Sequence, residues 1–253
     1  MSDDKLAEGT VLSHLVELRD RLLRAMIIVG VLAFPCLYFA NDLFTLLTEP
    51  LREKLPAGSS VIATSVVAPF MTPFKLGLLA AVFFAMPYIL YQLWAFVAPG
   101  LYRHERRFAM PLVLSSIVLF YAGAAFAYFV VFPVMFEFFV STTPESVQMM
   151  TDMTQYLDFV LLLFFAFGLA FEIPVATVLL VRSGLVRIEA MGKNRGFVLL
   201  GIFIVAAFLT PPDPVSQSMM AVPMYLLYEL GILLARVLVR RPAAAVTPEG
   251  EEE

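Results

Sequence analysis

Residues 157–181 read LDFVLLLFFAFGLAFEIPVATVLLV. The run is too long for a strand and does not alternate, and it is long enough for a helix to cross a hydrocarbon core about 30 Å thick. Five more apolar stretches share its character: Leu22–Phe39, Phe74–Val97, Ala109–Phe132 with an extension toward Phe139, Phe197–Leu209 and Met219–Val239. Runs of this kind exclude a β-barrel, whose strands are short and alternating. Composition agrees, because 60% of the 253 residues are hydrophobic and 15% charged, where a soluble domain is about half apolar and a quarter charged. The expected fold is all-α, one polytopic membrane domain over residues 1–241, followed by an acidic cytoplasmic tail at 242–253 that is expected to be disordered.

Charge orients the spans. Lys5, Arg19, Arg21 and Arg24 precede or open the first; Arg103, Arg106 and Arg107 follow the second; Arg182, Arg187, Lys193 and Arg195 follow the fourth; Arg236, Arg240 and Arg241 close the sixth. Only Arg52, Lys54 and Lys75 fall on the other side. Basic residues concentrate in cytoplasmic loops, so six spans with both termini inside satisfy the pattern and an odd number does not. The first apolar run starts near Leu22, behind Asp3, Asp4 and Glu8, which is unlike a cleaved leader, so this span is expected to be retained. The loop from Ala40 to Pro73, with Pro50, Pro56, Gly58, Pro69 and Pro73 marking turns, is expected to form an ordered outer cap. The fifth stretch covers only about 20 Å as a helix, and Glu229 and Arg236 interrupt the sixth, so a thinned bilayer or partner helices are expected beside both.

Few residues can carry chemistry. Cys36 is the only cysteine and there are two histidines, so neither a disulfide nor a cysteine-built metal site is expected. No zincin spacing and no Gly-rich phosphate loop is present, and the chain is expected not to be an enzyme and to need no cofactor, metal or nucleic acid. Glu172 lies inside the fourth span, where a carboxylate is costly and normally faces a cavity or partner. Pro174 cannot bond the carbonyl of Ala170, which favours a kink there, and Gly168 offers a small surface for a neighbouring backbone. Gln92 and Glu229 are further polar groups within spans; Gln92 is as compatible with helix packing as with a site. The segment Ser13–Leu22 is amphipathic, with Glu17/Arg21 and Asp20/Arg24 at i,i+4 spacing. In the loop 98–107, Glu105 sits among three arginines, and charge alone does not separate internal neutralisation from a receiver of basic ligands. A receptor, an ion-coupled solute carrier using Glu172 as relay, and a structural scaffold all stay open here, although the two halves show none of the internal repeat common in carriers.

The blocks His14–Leu22, Pro69-Phe70, Tyr91–Tyr102, Glu105–Arg107, Phe167–Val175 and Thr210–Asp213 resemble, in order and across nearly the whole chain, the TatC family of twin-arginine protein translocase subunits. The resemblance implies a concave, glove-like arrangement of six helices in the bacterial cytoplasmic (inner) membrane. It implies recognition of twin-arginine signal peptides on folded precursors, through Glu17, Arg19, Phe96 and Glu105, with Pro50 in the outer cap. Glu172 matches a membrane-embedded polar position, and Asp213 and Gln217 match the connection between the fifth and sixth helices. Implied partners are TatA-like and TatB-like single-span subunits and further copies of the chain, with transport driven by the proton-motive force. A guanidinium pairs bidentately with a carboxylate, which suits Glu17 and Glu105 to receive two arginines.

Overall fold

A computed structural model of the chain describes residues 2–54, 60–97, 109–144, 147, 150–210 and 213–238. The elements are α1 (Ser2–Tyr38), α2 (Ala40–Lys54), β1 (Ser60–Ile62), α3 (Ala68–Val97), α4 (Ala109–Phe126), a π-helical turn (Ala127–Val131), α5 (Phe132–Thr142), β2 (Met150–Asp152), α6 (Met153–Ala170), α7 (Ile173–Arg182), α8 (Ile188–Lys193), α9 (Arg195–Leu209) and α10 (Pro214–Leu238).

Among the described residues, five helical stretches are long and apolar enough to cross a membrane: Ser13–Tyr38, Ala68–Phe96, Met110–Thr142, Met153–Arg182 and Pro214–Leu238. The sequence-expected fifth span, now α9, has 15 residues and is shorter. The sixth is longer than expected. Its helix starts at Pro214 and runs 25 residues, about 37 Å, so Glu229 and Arg236 shorten its apolar run without shortening the helix.

Prolines set the bends. Pro133 follows the π turn at the second position of α5, where its missing N–H costs little, and the amide of Phe132 reaches back five residues to the carbonyl of Ala127. Pro174 breaks the fourth span as expected. The α6 helix stops at Ala170, Phe171 and Glu172 form a turn, and α7 resumes with Pro174 in its first turn. The described part of the cap is built differently from the expectation. Pro69 and Pro73 lie inside the start of α3, and Pro50 lies inside α2, so none of the three marks a turn between segments. The cap also holds a two-stranded parallel sheet, with Ser60 opposite Met150 and Ile62 opposite Asp152.

Packing uses close backbone approach, the means left where lipid removes the hydrophobic drive between helices. A Cβ on Gly123 of α4 would lie 2.4 Å from the Phe167 carbonyl oxygen of α6, and one on Gly231 of α10 would lie 3.1 Å from Cα of Pro174 in α7. Gly168 instead receives the ring of Phe120, so a side chain fills the surface expected to admit a backbone. One core joins α5, α6, α9 and α10 through Met135, Phe167, Ala206 and Met220; another joins α3, α4 and α7 through Leu90, Phe120 and Leu179. The cap sits on Leu76, Leu157 and Leu161.

Candidate functional site

Two polar clusters meet at the end of α3. On one side, Glu17 Oε1 accepts from Arg21 Nη2 at 2.6 Å and from Nε at 2.9 Å, and Arg21 Nη1 donates to Gln92 Oε1 at 3.1 Å. The i,i+4 spacing puts Glu17 and Arg21 on the face of α1 turned toward α3. His14, one turn earlier, stacks its ring on Phe96 with centroids 4.2 Å apart. Glu17 Oε2 lies 3.8 Å from His14 Nδ1, beyond hydrogen-bonding length, and the side chain is 38% exposed. Glu17, Gln92 and Phe96 thus come together, and Gln92, left open between packing and a site, holds the arginine that holds Glu17.

Arg19 points away. It is exposed and binds its neighbour Asp20 at 2.8 Å, so Asp20 is engaged with Arg19 and not with Arg24, its expected i,i+4 partner. Adjacent residues do not share a helix face, but a long arginine side chain lying along an exposed surface can still reach a neighbouring carboxylate. Glu105 and the loop 98–107 around it lie outside the described residues.

On the other side of α3, Trp94 Nε1 donates to Ser116 Oγ at 2.7 Å, and Ser116 Oγ donates to Glu172 Oε2 at 2.5 Å. All three are buried. Glu172 is placed by the break before α7, which turns its side chain into the bundle, and Oε1 has no hydrogen-bond partner among the described residues. Sequence reasoning singled out the carboxylate but missed Trp94 and Ser116. The chain's single tryptophan, whose N–H needs an acceptor when buried, was the signal available.

At the other end of the bundle, Asp213 Oδ1 accepts from the backbone amides of Ser216 at 2.7 Å and Val215 at 3.1 Å, capping α10. The Ser216 amide is the main cause that holds its carboxyl below the ordinary aspartate range. Gln217 Nε2 donates to the Phe203 carbonyl at 2.8 Å, tying α10 to α9. At the opposite end of these helices Glu229 takes both Arg195 Nε, at 2.7 Å, and Nη2, at 2.8 Å, as well as the Tyr225 hydroxyl. These residues fasten a short helix to a long one. Pro50 lies in the interior of α2. No group of three or more metal-binding side chains occurs among the described residues.

A kinked multi-span bundle, a carboxylate buried in its interior and a polar, partly aromatic cluster at the end of its second crossing define a polytopic all-α membrane protein. The family model for the Sec-independent protein translocase protein TatC matches residues 13–223. The chain is 55% identical over 236 residues to the Sec-independent protein translocase protein TatC of Azotobacter chroococcum mcd 1, covering 93% of this chain and 92% of that one. It is 51% identical over 229 residues to the protein of the same description from Escherichia coli K12, covering 90% and 89%. A crystal structure described as the twin arginine translocase receptor TatC superposes with a TM-score of 0.82 at 36% identity, covering 90% of this chain and all of that one. The chain belongs to the TatC family.

Proposed function

We propose that this chain is the receptor subunit of a twin-arginine translocase, which binds twin-arginine signal peptides of folded precursor proteins at the cytoplasmic face of the bacterial inner membrane. The observation that carries the reading is the Glu17 carboxylate beside the end of α3: Arg21, itself bonded to Gln92, holds one of its oxygens, while the other is open beside the stacked His14 and Phe96 rings. That oxygen is the natural acceptor for a guanidinium, and the rings offer a flat face for its plane. Glu105 is the second receiver, and Arg19 is part of the same cytoplasmic surface. Pro50 belongs to the outer cap, Glu172 and Gln92 are membrane-embedded polar residues, and Asp213 and Gln217 hold the connection of the fifth and sixth helices.

The chain crosses the membrane six times, Arg195–Leu209 being the short crossing, with both termini in the cytoplasm. The clustering of basic residues supports this topology. Residues 1–241 form one membrane domain and 242–253 an acidic tail. The working complex contains TatA-like and TatB-like single-span subunits and further copies of this chain, and the proton-motive force drives it.

The test compares binding of a twin-arginine peptide and its twin-lysine counterpart to membranes carrying the wild type, Glu17→Ala or Glu105→Ala. Wild type is expected to prefer the arginine peptide and each variant to lose part of that preference. Equal affinity for both peptides in wild type, or an unchanged preference in both variants, would overturn the assignment.

A further inference from the structure

Segment 92–96 of α3 is shared between the two polar clusters. Gln92 and Phe96 touch α1 through Arg21 and His14, while Trp94, between them, reaches α4 and through it α7. Residues two apart on a helix point about 200° apart, so this one turn has a face toward the cytoplasmic carboxylate and a face toward the membrane carboxylate. Each face is anchored by directional bonds to a different element. A ligand that takes Glu17 from Arg21 frees Arg21 and, with it, the one hydrogen bond to the Gln92 side chain among the described residues. Phe96 is half-buried and stacked on His14, so a ligand entering beside Glu17 shifts that ring too. Both disturbances fall on the turn that carries the Trp94 indole.

We infer that Trp94 and Ser116 are positioning residues that connect occupancy of the Glu17 surface to Glu172: peptide binding shifts segment 92–96, and the Trp94–Ser116–Glu172 hydrogen-bonded chain passes the shift to the membrane carboxylate. This rests on the receptor reading above and deepens it. The two-arrangement element is Ser116. Held by the indole N–H, its hydroxyl is aimed at Glu172 Oε2; released, it is free to turn toward its own helix backbone, as Ser115 does on the Leu112 carbonyl. Glu172 then has neither oxygen bonded, since Oε1 is already without a partner among the described residues. Burial gives the change a large effect, because polar groups in a dry interior are costly to leave unpaired.

The chain reports on itself, because Trp94 is its only tryptophan. Indole emission depends on the hydrogen bond and polarity at Nε1. The experiment uses the full chain in liposomes free of other tryptophan and a tryptophan-free, dye-labelled twin-arginine peptide. Binding is read by dye anisotropy and the chain by Trp94 emission. The expected result is a shift of emission that saturates with the anisotropy curve in wild type. In Ser116→Ala, which removes the bridge, the peptide still binds and the shift is lost. Should Ser116→Ala fail to insert, Glu172→Leu, which takes the acceptor from Ser116, must lose the shift instead. Saturable binding with unchanged wild-type emission overturns the coupling, as does an equal shift in the variants, since the indole would then move without its bonded chain. Failure of the receptor reading is a separate outcome, in which anisotropy shows no preference for the twin-arginine peptide over a twin-lysine peptide.

Discussion

The α4–α6 crossing and the α1–α3 pair both belong to one bundle, yet they are held in different ways. In the first, Gly123 admits the backbone of Phe167, Gly168 admits the ring of Phe120, and Ser116 bonds Glu172 two turns away. Neither glycine has room for an added side chain. In the second, α1 leans on α3 while most of its surface remains open: only 6% of its apolar window is buried, against 50% in the fourth span, and Gly30 has no atom within 4 Å of where a Cβ would stand. Near His14 and Arg21 it is fastened mainly by polar and aromatic contacts, Arg21 to Gln92 and His14 to Phe96. One pair is thus defined by shape and the other by exchangeable contacts, the property a surface needs if a charged ligand is to displace an internal partner.

The strongest way to break that contrast is to add volume at both glycines. Gly123→Val drives side-chain carbon into a backbone carbonyl that cannot move aside, a cost on the order of 3 kcal/mol or more. Gly30→Val meets open space. Yield of folded protein in mild detergent and resistance to denaturant are expected to collapse for the first and stay near wild type for the second. Comparable behaviour would mean that α4 and α6 are not locked by shape.

The two carboxylates sharpen the contrast next. Glu172→Leu removes the acceptor of a buried hydroxyl, a loss of roughly 1–3 kcal/mol, enough to change precursor export by about fivefold or more while the Glu17 surface keeps its peptide affinity. Glu172→Gln keeps an acceptor oxygen for Ser116 and is expected to retain much of the export. Export assays on inside-out vesicles with both variants decide it, and full activity in Glu172→Leu would remove the carboxylate from the mechanism. Glu17→Ala is expected to cost less. Its side chain is 38% exposed, and a solvated ion pair contributes about 1 kcal/mol or less, roughly fivefold in affinity. That contribution should fade as salt is raised from low ionic strength, because the Debye length shortens to about 8 Å at physiological salt. A salt-independent loss of a hundredfold would place Glu17 in a dry pocket and end its contrast with Glu172.

Five of the six expected spans were legible because hydrophobic runs are long-range-independent: each needs only lipid around it. The break at Glu172 was legible for the same reason, since Pro174 alone decides which carbonyl goes unbonded. Helix starts were not. Hydropathy begins α3 at Phe74 and the last helix at Met219, whereas the helices begin at Ala68 and Pro214, because first turns tolerate proline and polar residues that an apolar scan skips. Pairings across the fold were also hidden. Arg21 finds Gln92, 71 positions on, and the strands at Ser60 and Met150 are three residues each, too short to carry a period. Ser116 looked like any small polar residue in an apolar helix until Trp94 and Glu172 were seen on either side of it.

The smallest expected effect lies outside the spans and tests whether the cap belongs with the rigid region or the exchangeable one. Asp152 joins the two cap strands to the fourth span: Oδ2 accepts from the hydroxyl of Thr64 at 2.6 Å and from its amide at 3.1 Å, while Oδ1 caps α6 through the amides of Thr154 and Gln155. The Thr64 hydroxyl is the leading cause, and the backbone amides add to it, so the carboxyl is held down at about 2 from its usual 3.8. A carboxylate whose folded pKa is depressed stabilises the fold above its unfolded pKa and loses that contribution as pH falls through the folded one. Amide exchange in β1 and β2 should therefore be insensitive to this group from neutral pH down to about 4, once intrinsic exchange rates are corrected for. It should then accelerate between about 4 and 2. Asp152→Asn is expected to exchange faster at neutral pH and to show no further acceleration in that acid window. The α4–α6 crossing, which contains no part of this bonding, should keep its protection throughout. Loss of protection at both places together would show that cap and crossing open as one unit, and the division between a shape-locked interior and adjustable edges would have to be redrawn with the cap inside it.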